Sequence, residues 1–343
     1  MHLLFQIEGS GVGGNETTLK TLSSLLRKNH RLTLICPPGP ARKFLTGSFD
    51  RVVSPPRNWK GWDRVLQALR PTRAIAIHGD IVALSSSCRR MGIPVDWWCG
   101  HSIAETERGQ WQSLGETLFD RVLFPSLFLR KQLPISNGFI LPGIVDTKKF
   151  NGKSGGYRKW LGVSENAFVF GYCGRFVPEK RHEDLLDALK QLNGSYFALL
   201  IGNAHRAEEK ALFRRLERRV RQEKLAAHCL SVPDKDLSRA LAAMDVFVSP
   251  SVNEGFGSSV LEALSGGVPV VAARSGGPEE ILQQLDQPLL YSPGNIKALA
   301  QLIRKLSGDR ELGARLGQAG RHLVLKHYRP ERWWKDFSLS PQS

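Results

Sequence analysis

The sequence has no long apolar run. None approaches the ~20 residues that a helix needs to cross a bilayer. Residues 1–8 carry neither a basic segment nor a small-residue cleavage site, so they fit a first strand better than a secretory leader. Cysteine is scarce, with five in 343 residues and no Cys-x-x-Cys pair, which argues against a disulfide framework or a zinc site. We therefore expect a cytoplasmic globular protein with reduced cysteines.

Acidic residues are also few relative to basic ones. The 48 Lys and Arg outnumber the 32 Asp and Glu and give a net charge of +16. Nucleic acid, an anionic membrane or an anionic substrate would explain such a charge. We find no recognition-helix, zinc-finger or aromatic RNA-binding motif, so nucleic acid is not expected as a partner. The densest basic stretch, residues 205–224, also contains four glutamates and fits a solvated helix with mixed charges.

Trp59 and Trp62 alternate with cations between residues 57 and 64, in a proline-rich polar region. Indoles mixed with cations suit a lipid headgroup layer, so one hypothesis is a peripheral contact with an anionic membrane at its inner face. The alternative is that the tryptophans are core residues, which we favour for all except Trp59 and Trp62. The others in this half are Trp97, Trp98 and Trp111.

Strand and helix patterns alternate in two series, which predicts an α/β class with two parallel sheets of Rossmann-like winding. The first series has expected strands at Leu3–Ile7, Leu32–Cys36, Ala74–His78, Val95–Trp98, Arg121–Phe124 and Phe139–Leu141. The second has them at Phe168–Cys173, Phe197–Ile201, His228–Ser231, Val246–Ser249, Val268–Ala272 and Leu289–Tyr291. We assign residues 1–150 to an N-terminal domain, 151–166 to a linker, 167–320 to a C-terminal domain and 321–343 to a final helix.

The most informative stretch lies between Glu254 and Glu262. An apolar strand pattern comes first, then the loop Gly255-Phe256-Gly257, then a helical pattern from Ser258. Loop N–H groups and the positive end of a helix dipole suit a phosphate, and carboxylates beside a phosphate suit the hydroxyls of a ribose and a sugar. The stretch therefore indicates a nucleotide-sugar site.

Four other segments accompany this stretch in a fixed order. They are Gly13-Gly14-Asn15-Glu16, Gly174 to Lys180, Gly266 to Ala273 and Gly276 to Ile281. Together with Glu-x7-Glu, they resemble the motifs of the retaining glycosyltransferases of the GT-B fold, group 1 (family 4). The resemblance covers most of the chain, and Glu-x7-Glu is its most specific element.

The resemblance implies two Rossmann-like domains facing each other across a cleft, with the last helix crossing back to the N-terminal domain. The N-terminal domain would serve the acceptor and the C-terminal domain the donor. It implies a hexosyl-type transferase that takes sugar from a UDP-, GDP- or ADP-sugar to a hydroxyl of a glycan or lipid-linked acceptor, in cell-envelope polysaccharide, lipopolysaccharide or glycolipid synthesis. A noncatalytic nucleotide-sugar-binding or scaffold protein on the same fold is the alternative.

The resemblance also implies roles for individual residues. Arg175 and Lys180 would bind the diphosphate, Glu254 would lie near the donor sugar, and Glu262 would bind the ribose hydroxyls. His101 would contact the donor sugar, although a structural role for it stays open. The remaining substrate-binding candidates are Gly13, Gly14, Gly255, Phe256, Gly257 and Ser258.

Fixed cations can offset the charge of a leaving diphosphate in place of a metal ion. The sequence has no Asp-x-Asp motif, so we expect metal-independent catalysis without a cofactor. It departs from the family at Arg181, where glycine is common, and at Gly143 and Ile144, where Asn-Gly is common.

Gly9 to Gly14 also matches the dinucleotide pattern G-x-G-x-x-G. That interpretation needs an acidic residue ~20 positions later, but none occurs between Thr17 and Phe49. A nicotinamide enzyme is therefore disfavoured.

Overall fold

A computed structural model describes residues 1–8 and 11–339. The chain forms two compact units, each built on its own parallel sheet. The first takes Met1–Ile144 and the chain from Pro330 onward, and the second takes Val145–Arg329.

The first unit has a seven-stranded sheet in the order β3-β2-β1-β4-β5-β6-β7, with every pair parallel. Its strands are β1 His2–Gln6, β2 Arg31–Ile35, β3 Arg51–Val53, β4 Arg73–Ala76, β5 Val95–Trp98, β6 Arg121–Phe124 and β7 Gly138–Ile140. Its first six helices are α1 Gly14–Leu26, α2 Pro40–Leu45, α3 Trp59–Leu69, α4 Ile81–Arg90, α5 Arg108–Leu118 and α6 Leu127–Gln132. Because crossover helices cover both faces, the five central strands are almost wholly buried, whereas the edge strands β3 and β7 are partly exposed.

The second unit has a six-stranded sheet in the order β10-β9-β8-β11-β12-β13, again parallel throughout. Its strands are β8 Phe168–Cys173, β9 Tyr196–Ile201, β10 Ala227–Leu230, β11 Val246–Ser249, β12 Val270–Ala273 and β13 Leu289–Tyr291. Its helices are α7 Tyr157–Trp160, α8 Glu183–Lys190, α9 Ala207–Gln222, α10 Asp234–Ala242, α11 Ser258–Ser265, α12 Gly277–Leu282, α13 Ile296–Gly308 and α14 Arg310–His327. A final helix, α15 Pro330–Leu339, belongs to the first unit.

All twelve strands expected from the sequence are present, within a few residues of their expected ends. The short edge strand β3 and the helices α2 and α5 escaped the pattern analysis. β3 has only three residues, and α5 carries two glycines and a weak apolar stripe, so neither gives a clear periodic signal.

The stretch assigned to a linker is structured. Residues 151–166 contain α7, and Tyr157, Leu161 and Val163 are buried in the core of the second unit. The burial of these three residues was not predicted, because the surrounding sequence is polar and contains several glycines. The boundary expected at 321 also differs, because α14 continues to His327 within the second unit and only the chain after the break at Arg329-Pro330 joins the first.

A buried charge network holds α15 on the first unit. Asp96 of β5 is fully buried and pairs with Arg73 of β4 at 2.8 Å and Arg121 of β6 at 2.7 Å. The Arg121 guanidinium also donates to the carbonyl of Phe337 in α15, at 3.0 Å, and lies over its ring. Since buried charges are stable only when paired and hydrogen-bonded, this network fixes α15 to the sheet.

The tryptophans divide between core and surface. Trp62 of α3 is fully buried in the core, so the hypothesis that it contacts a membrane is wrong for this side chain. Trp97 and Trp98 are buried as expected, whereas Trp59 is 55% exposed. Within the described part of the chain, no helix is both long and apolar enough to span a membrane. All five cysteines are free.

Candidate active site

The candidate residues of the second unit follow strands at one edge of its sheet. Strands β8 and β11 are neighbours, so the loops after their carboxyl ends lie side by side. The first loop contains Gly174 and continues to Lys180, and the second leads to Glu254. The loop after β9 approaches closely as well, because a Cβ added at Gly202 would lie 2.0 Å from the Gly174 carbonyl oxygen.

Lys180 and Glu254 form an ion pair that joins these two loops. Their side chains are 16% and 21% exposed, so the pair is partly shielded from water. A backbone hydrogen bond of 2.9 Å from Val252 to the Glu179 carbonyl holds the loops together next to the pair. The structure thus brings together two of the residues expected from the sequence, although 74 positions separate them.

The loop Gly255-Phe256-Gly257 leads directly into α11. Gly257 has a φ of +97°, a conformation that glycine adopts readily, and no side chain caps the first turn of the helix. Gly277 supports the loop by donating to the Glu254 carbonyl at 2.9 Å, and a Cβ there would lie 2.1 Å from the Phe256 oxygen. An uncapped helix start beside a tight loop offers N–H groups to an anion.

Glu262 lies on α11, one to two turns from its start, and is only 7% exposed. Its carboxylate makes no hydrogen bond or ion pair with any residue that the structure describes. Burial raises the pKa of Glu262 to about 7; the charge of Lys149 opposes this rise and that of Asp234 adds to it. Lys149 and Asp234 pair with each other at 2.6 Å. A buried carboxylate without a protein partner is costly, and a ligand with hydroxyl groups would satisfy it.

Arg175 pairs with a different carboxylate from the one that pairs with Lys180. Its side chain is 45% exposed and reaches Glu209 of α9 at 3.4 Å. Glu209 is itself buried and accepts hydrogen bonds from the backbone of His205 and Arg206, which lower its pKa against the effect of burial. No sequence motif points to Glu209, because a glutamate in the first turn of a helix is common.

His182 is a second residue that the sequence did not single out. It is 1% exposed. Its ring stacks on that of Phe176, with 4.6 Å between the ring centroids, and packs edge-on against Tyr172, with 5.0 Å between the centroids. Burial lowers the pKa of His182 to about 3, so its ring is neutral at physiological pH. The Tyr172 and Ser251 hydroxyl groups form a hydrogen bond of 2.7 Å, which connects the end of β8 to the loop after β11.

The first unit carries the other candidates. Gly13 precedes α1, and its N–H donates to the Glu16 carboxylate at 2.7 Å; Gly14 is the first helical residue. Gly9 and Ser10, which begin the dinucleotide-like pattern, lie outside the described residues. His101 follows β5 with an exposed side chain, and its ring centroid lies 5.0 Å from that of His78.

Comparison with known proteins identifies the family. The sequence pattern of "Glycosyl transferases group 1" matches residues 157–323, which contain every candidate residue of the second unit. The second unit therefore carries the sequence pattern of the group 1 glycosyl transferases.

The relatives differ in how much of their length they share with this chain. The sulfoquinovosyl transferase SQD2 of Arabidopsis thaliana is 32% identical over 46% of this chain, but the match takes in only 30% of that protein. A GDP-mannose-dependent alpha-mannosyltransferase of Mycobacterium tuberculosis is 26% identical over 93% of each chain. The crystal structure of Anabaena Alr3699/HepE in complex with UDP-glucose covers 98% of each chain with a TM-score of 0.86 at 20% identity, which shows the GT-B fold.

The structure shows the surroundings of the residues at which this chain departs from the motifs of the group 1 glycosyl transferases. Arg181 has a φ of +48°, so it keeps the left-handed conformation that a glycine would favour. Its guanidinium forms two 2.9 Å bonds with Asp184, and its charge is therefore committed to the protein. Gly143 and Ile144 are buried at the end of the first unit.

Metal ligands do not gather at these sites. In residues 1–8 and 11–339, no three His, Cys, Asp or Glu side chains lie close enough to hold an ion. Metal independence remains a prediction for solution experiments.

Proposed function

We propose that this protein is a retaining glycosyltransferase that moves a hexosyl-type sugar from a nucleoside-diphosphate sugar to an acceptor hydroxyl. One observation carries the proposal. At the carboxyl ends of the strands of the second sheet, Glu262 is a buried carboxylate without a partner among the described residues. It accompanies an uncapped helix start and the Lys180–Glu254 pair. Glu262 suits the hydroxyls of a ribose, the helix start and Lys180 suit a diphosphate, and Glu254 suits a sugar.

The diphosphate is the leaving group in this proposal. Its negative charge grows as the bond to the sugar breaks, and fixed donors aimed at that charge lower the barrier. The N–H groups of the Gly255–Gly257 loop and of Ser258 would supply neutral donors, and Lys180 and Arg175 would supply cations. No metal ion or cofactor is needed for that role. In the free protein, Glu254 keeps Lys180 at the loop until phosphate oxygens offer it a second partner.

Glu254 and His101 are each proposed to contact the donor sugar. Glu254 would accept hydrogen bonds from sugar hydroxyls or support charge at the reacting carbon, and His101 would contact a further hydroxyl. Gly13 and Gly14 would present backbone N–H groups. The acceptor oxygen would attack the same face of the carbon from which the phosphate departs. The carbon–phosphate oxygen bond breaks as the new bond forms, and the acceptor proton passes to the leaving phosphate.

The relatives support the class of donor. A named relative is GDP-mannose-dependent, and a structural neighbour was solved with UDP-glucose. Others act in lipopolysaccharide or O-antigen synthesis by name. We accordingly propose a UDP-, GDP- or ADP-sugar donor and an acceptor that is an envelope glycan or a lipid-linked glycan.

The test is turnover. The purified protein would be incubated with each donor and candidate acceptors in EDTA, and released nucleoside diphosphate and glycosylated product would be measured. Product with the donor's anomeric configuration, seen by NMR, supports the proposal, and inversion would contradict it. Binding of a nucleoside diphosphate without any product or donor hydrolysis would favour the alternative, a noncatalytic binding or scaffold protein. Lys180→Ala serves as the control for contaminating activity.

We also propose that the protein works in the cytoplasm in peripheral contact with an anionic membrane. Trp59 is 55% exposed, with Lys60 and Arg90 within 5.5 Å of its ring, and Arg57 and Arg64 are exposed nearby in the chain. Such a cluster suits lipid headgroups.

Vesicle sedimentation tests this contact. The protein should sediment with vesicles that contain phosphatidylglycerol and not with neutral ones, and Trp59→Ala should weaken the binding. Trp160→Ala is the matched control, because Trp160 is a 69% exposed indole in the second unit, also next to cations. Equal losses in both variants, or no loss in Trp59→Ala, would refute the Trp59 surface.

A further inference from the structure

A polar cluster in the first unit gathers residues from three separate parts of the chain. Strands β1, β4 and β5 are neighbours in the sheet, so the segments after their carboxyl ends converge. Asn15 lies in the first turn of α1, His78 follows β4, and His101 follows β5. Sequence motifs point to His101, whereas His78 was expected only as a packing residue at the end of the strand Ala74–His78.

His78 lies between the other two side chains and contacts both of them. The amide nitrogen of Asn15 lies 2.6 Å from Nε2 of His78, and the His78 ring lies 5.0 Å from the His101 ring. Gly100 leaves the space for the amide, because a Cβ there would lie 2.4 Å from the Asn15 side-chain oxygen. The Cys99 thiol lies 3.8 Å from the backbone carbonyl of His101 and donates to it.

The protonation of His78 follows from this arrangement. Burial, and secondarily the charge of His101, lower the pKa of His78 to about 4, so the ring is neutral at physiological pH. Because the Asn15 NH₂ group can only donate, Nε2 accepts and the ring proton lies on Nδ1. His78 is therefore held in one tautomer and one orientation.

His101 has no comparable anchor of its own. No hydrogen bond from a described residue reaches its ring nitrogens, and its side chain is exposed. The ring of His78 is the aromatic surface against which it lies. The orientation of His101 consequently depends on that of His78.

We propose that His78 is a positioning residue, fixed by Asn15, that holds the His101 ring in the orientation in which it meets the sugar. The inference rests on the sugar contact proposed for His101. His78 itself touches no substrate and acts only through its neighbour.

A double-mutant cycle tests this dependence. His78→Ala should lower kcat about tenfold, since the displacement of a side chain that positions the sugar costs rate, with donor KM unchanged within about twofold. The His78→Ala/His101→Ala double variant should be no slower than His101→Ala alone. Multiplicative losses, or a rise in KM with kcat intact, would overturn the inference.

Two further variants separate positioning from structural support. His78→Gln places an amide oxygen near the position of Nε2 and keeps an acceptor for Asn15. Its planar amide, held by that hydrogen bond, replaces the ring as the flat surface against His101 and should restore most of kcat. His228→Ala is the matched control in the second unit, since His228 is half-buried, with one 3.0 Å hydrogen bond and one ring contact at 4.9 Å. It should lower Tm and keep kcat. If His78→Ala changes Tm alone, as this control does, His78 is merely structural.

A readout without turnover keeps this inference distinct from the proposed function. The ratio of the two His101 ring tautomers, measured by nitrogen NMR on the free protein, should change in His78→Ala and return in His78→Gln. An unchanged ratio overturns the inference whatever the activity. If the wild-type protein transfers no sugar but the ratio follows this pattern, the proposed function fails and the dependence of His101 on His78 stands.

Discussion

Replacing Glu262 by glutamine should make the free protein more stable and its nucleotide binding weaker. The carboxylate is 7% exposed and has no hydrogen-bond partner among the described residues, and burial raises its pKa from 4.5 to about 7. A raised pKa means that the folded state favours the protonated form. Ionisation of Glu262 therefore costs folding free energy, and a neutral amide of the same shape removes that cost.

The size and pH range of the effect follow from linkage. Below about pH 4.5 the carboxyl is protonated in both states and costs nothing. The cost grows as pH rises from 4.5 towards 7 and is constant above. The shift from 4.5 to about 7 is 2.5 units at 1.36 kcal/mol each, so the full cost is about 3 kcal/mol. For a unit of this size, that corresponds to about 6–12 °C in Tm.

Thermal unfolding between pH 4.5 and 8.5 measures this effect. Glu262→Gln should match wild type at the acid end and melt at higher temperature at pH 8. Glu165→Gln, which neutralises an exposed loop carboxylate of the same unit, should show no such gap. A wild-type–variant difference that does not vary with pH would refute the burial argument.

The same substitution should weaken the binding of a nucleotide sugar. A carboxylate that accepts hydrogen bonds from ribose hydroxyls contributes about 1.5–3 kcal/mol, so the amide should weaken nucleotide-sugar affinity about 10- to 100-fold at pH 8. Calorimetry with a nucleotide sugar is the appropriate assay, because its diphosphate has no ionisation near pH 6 to confuse the result. A more stable variant with undiminished affinity would show that Glu262 is buried but does not hold the ribose.

The other predictions concern catalysis, stability and loop geometry. Lys180→Ala should lower kcat about 10²- to 10³-fold with an unchanged circular dichroism spectrum, and full activity would remove Lys180 from the site. Asp96→Ala should cost about 3–5 kcal/mol in urea unfolding, because it removes the carboxylate that pairs with two buried guanidinium groups. Loss of the exposed carboxylate of Glu183 should cost less than about 1 kcal/mol, and equal costs would contradict the argument. Gly277→Ala should weaken nucleoside-diphosphate binding, because its Cβ would displace the loop before α11, whereas Gly308→Ala, where no atom lies within 4 Å, should not.

The sequence alone determined the α/β class, the twelve main strands and the order of the motifs. It did so because strand periodicity, glycine loops and the Glu254–Glu262 spacing are local properties that neighbouring residues encode. The linker assignment and the second membrane tryptophan were wrong for the same reason. Composition reports local polarity, but the burial of Tyr157 or Trp62 depends on what packs over them.

Only the tertiary structure decided which side chains meet. Lys180 pairs with Glu254 across 74 positions, and Asn15 reaches His78 across 63. Asp96 gathers two arginines from neighbouring strands, and Glu262 is buried although glutamate is usually exposed. Each of these contacts depends on the order of the strands in a sheet and on which loops lie side by side at the ends of those strands. Those arrangements follow from the free energy of packing the whole unit, and no single segment of the sequence contains them.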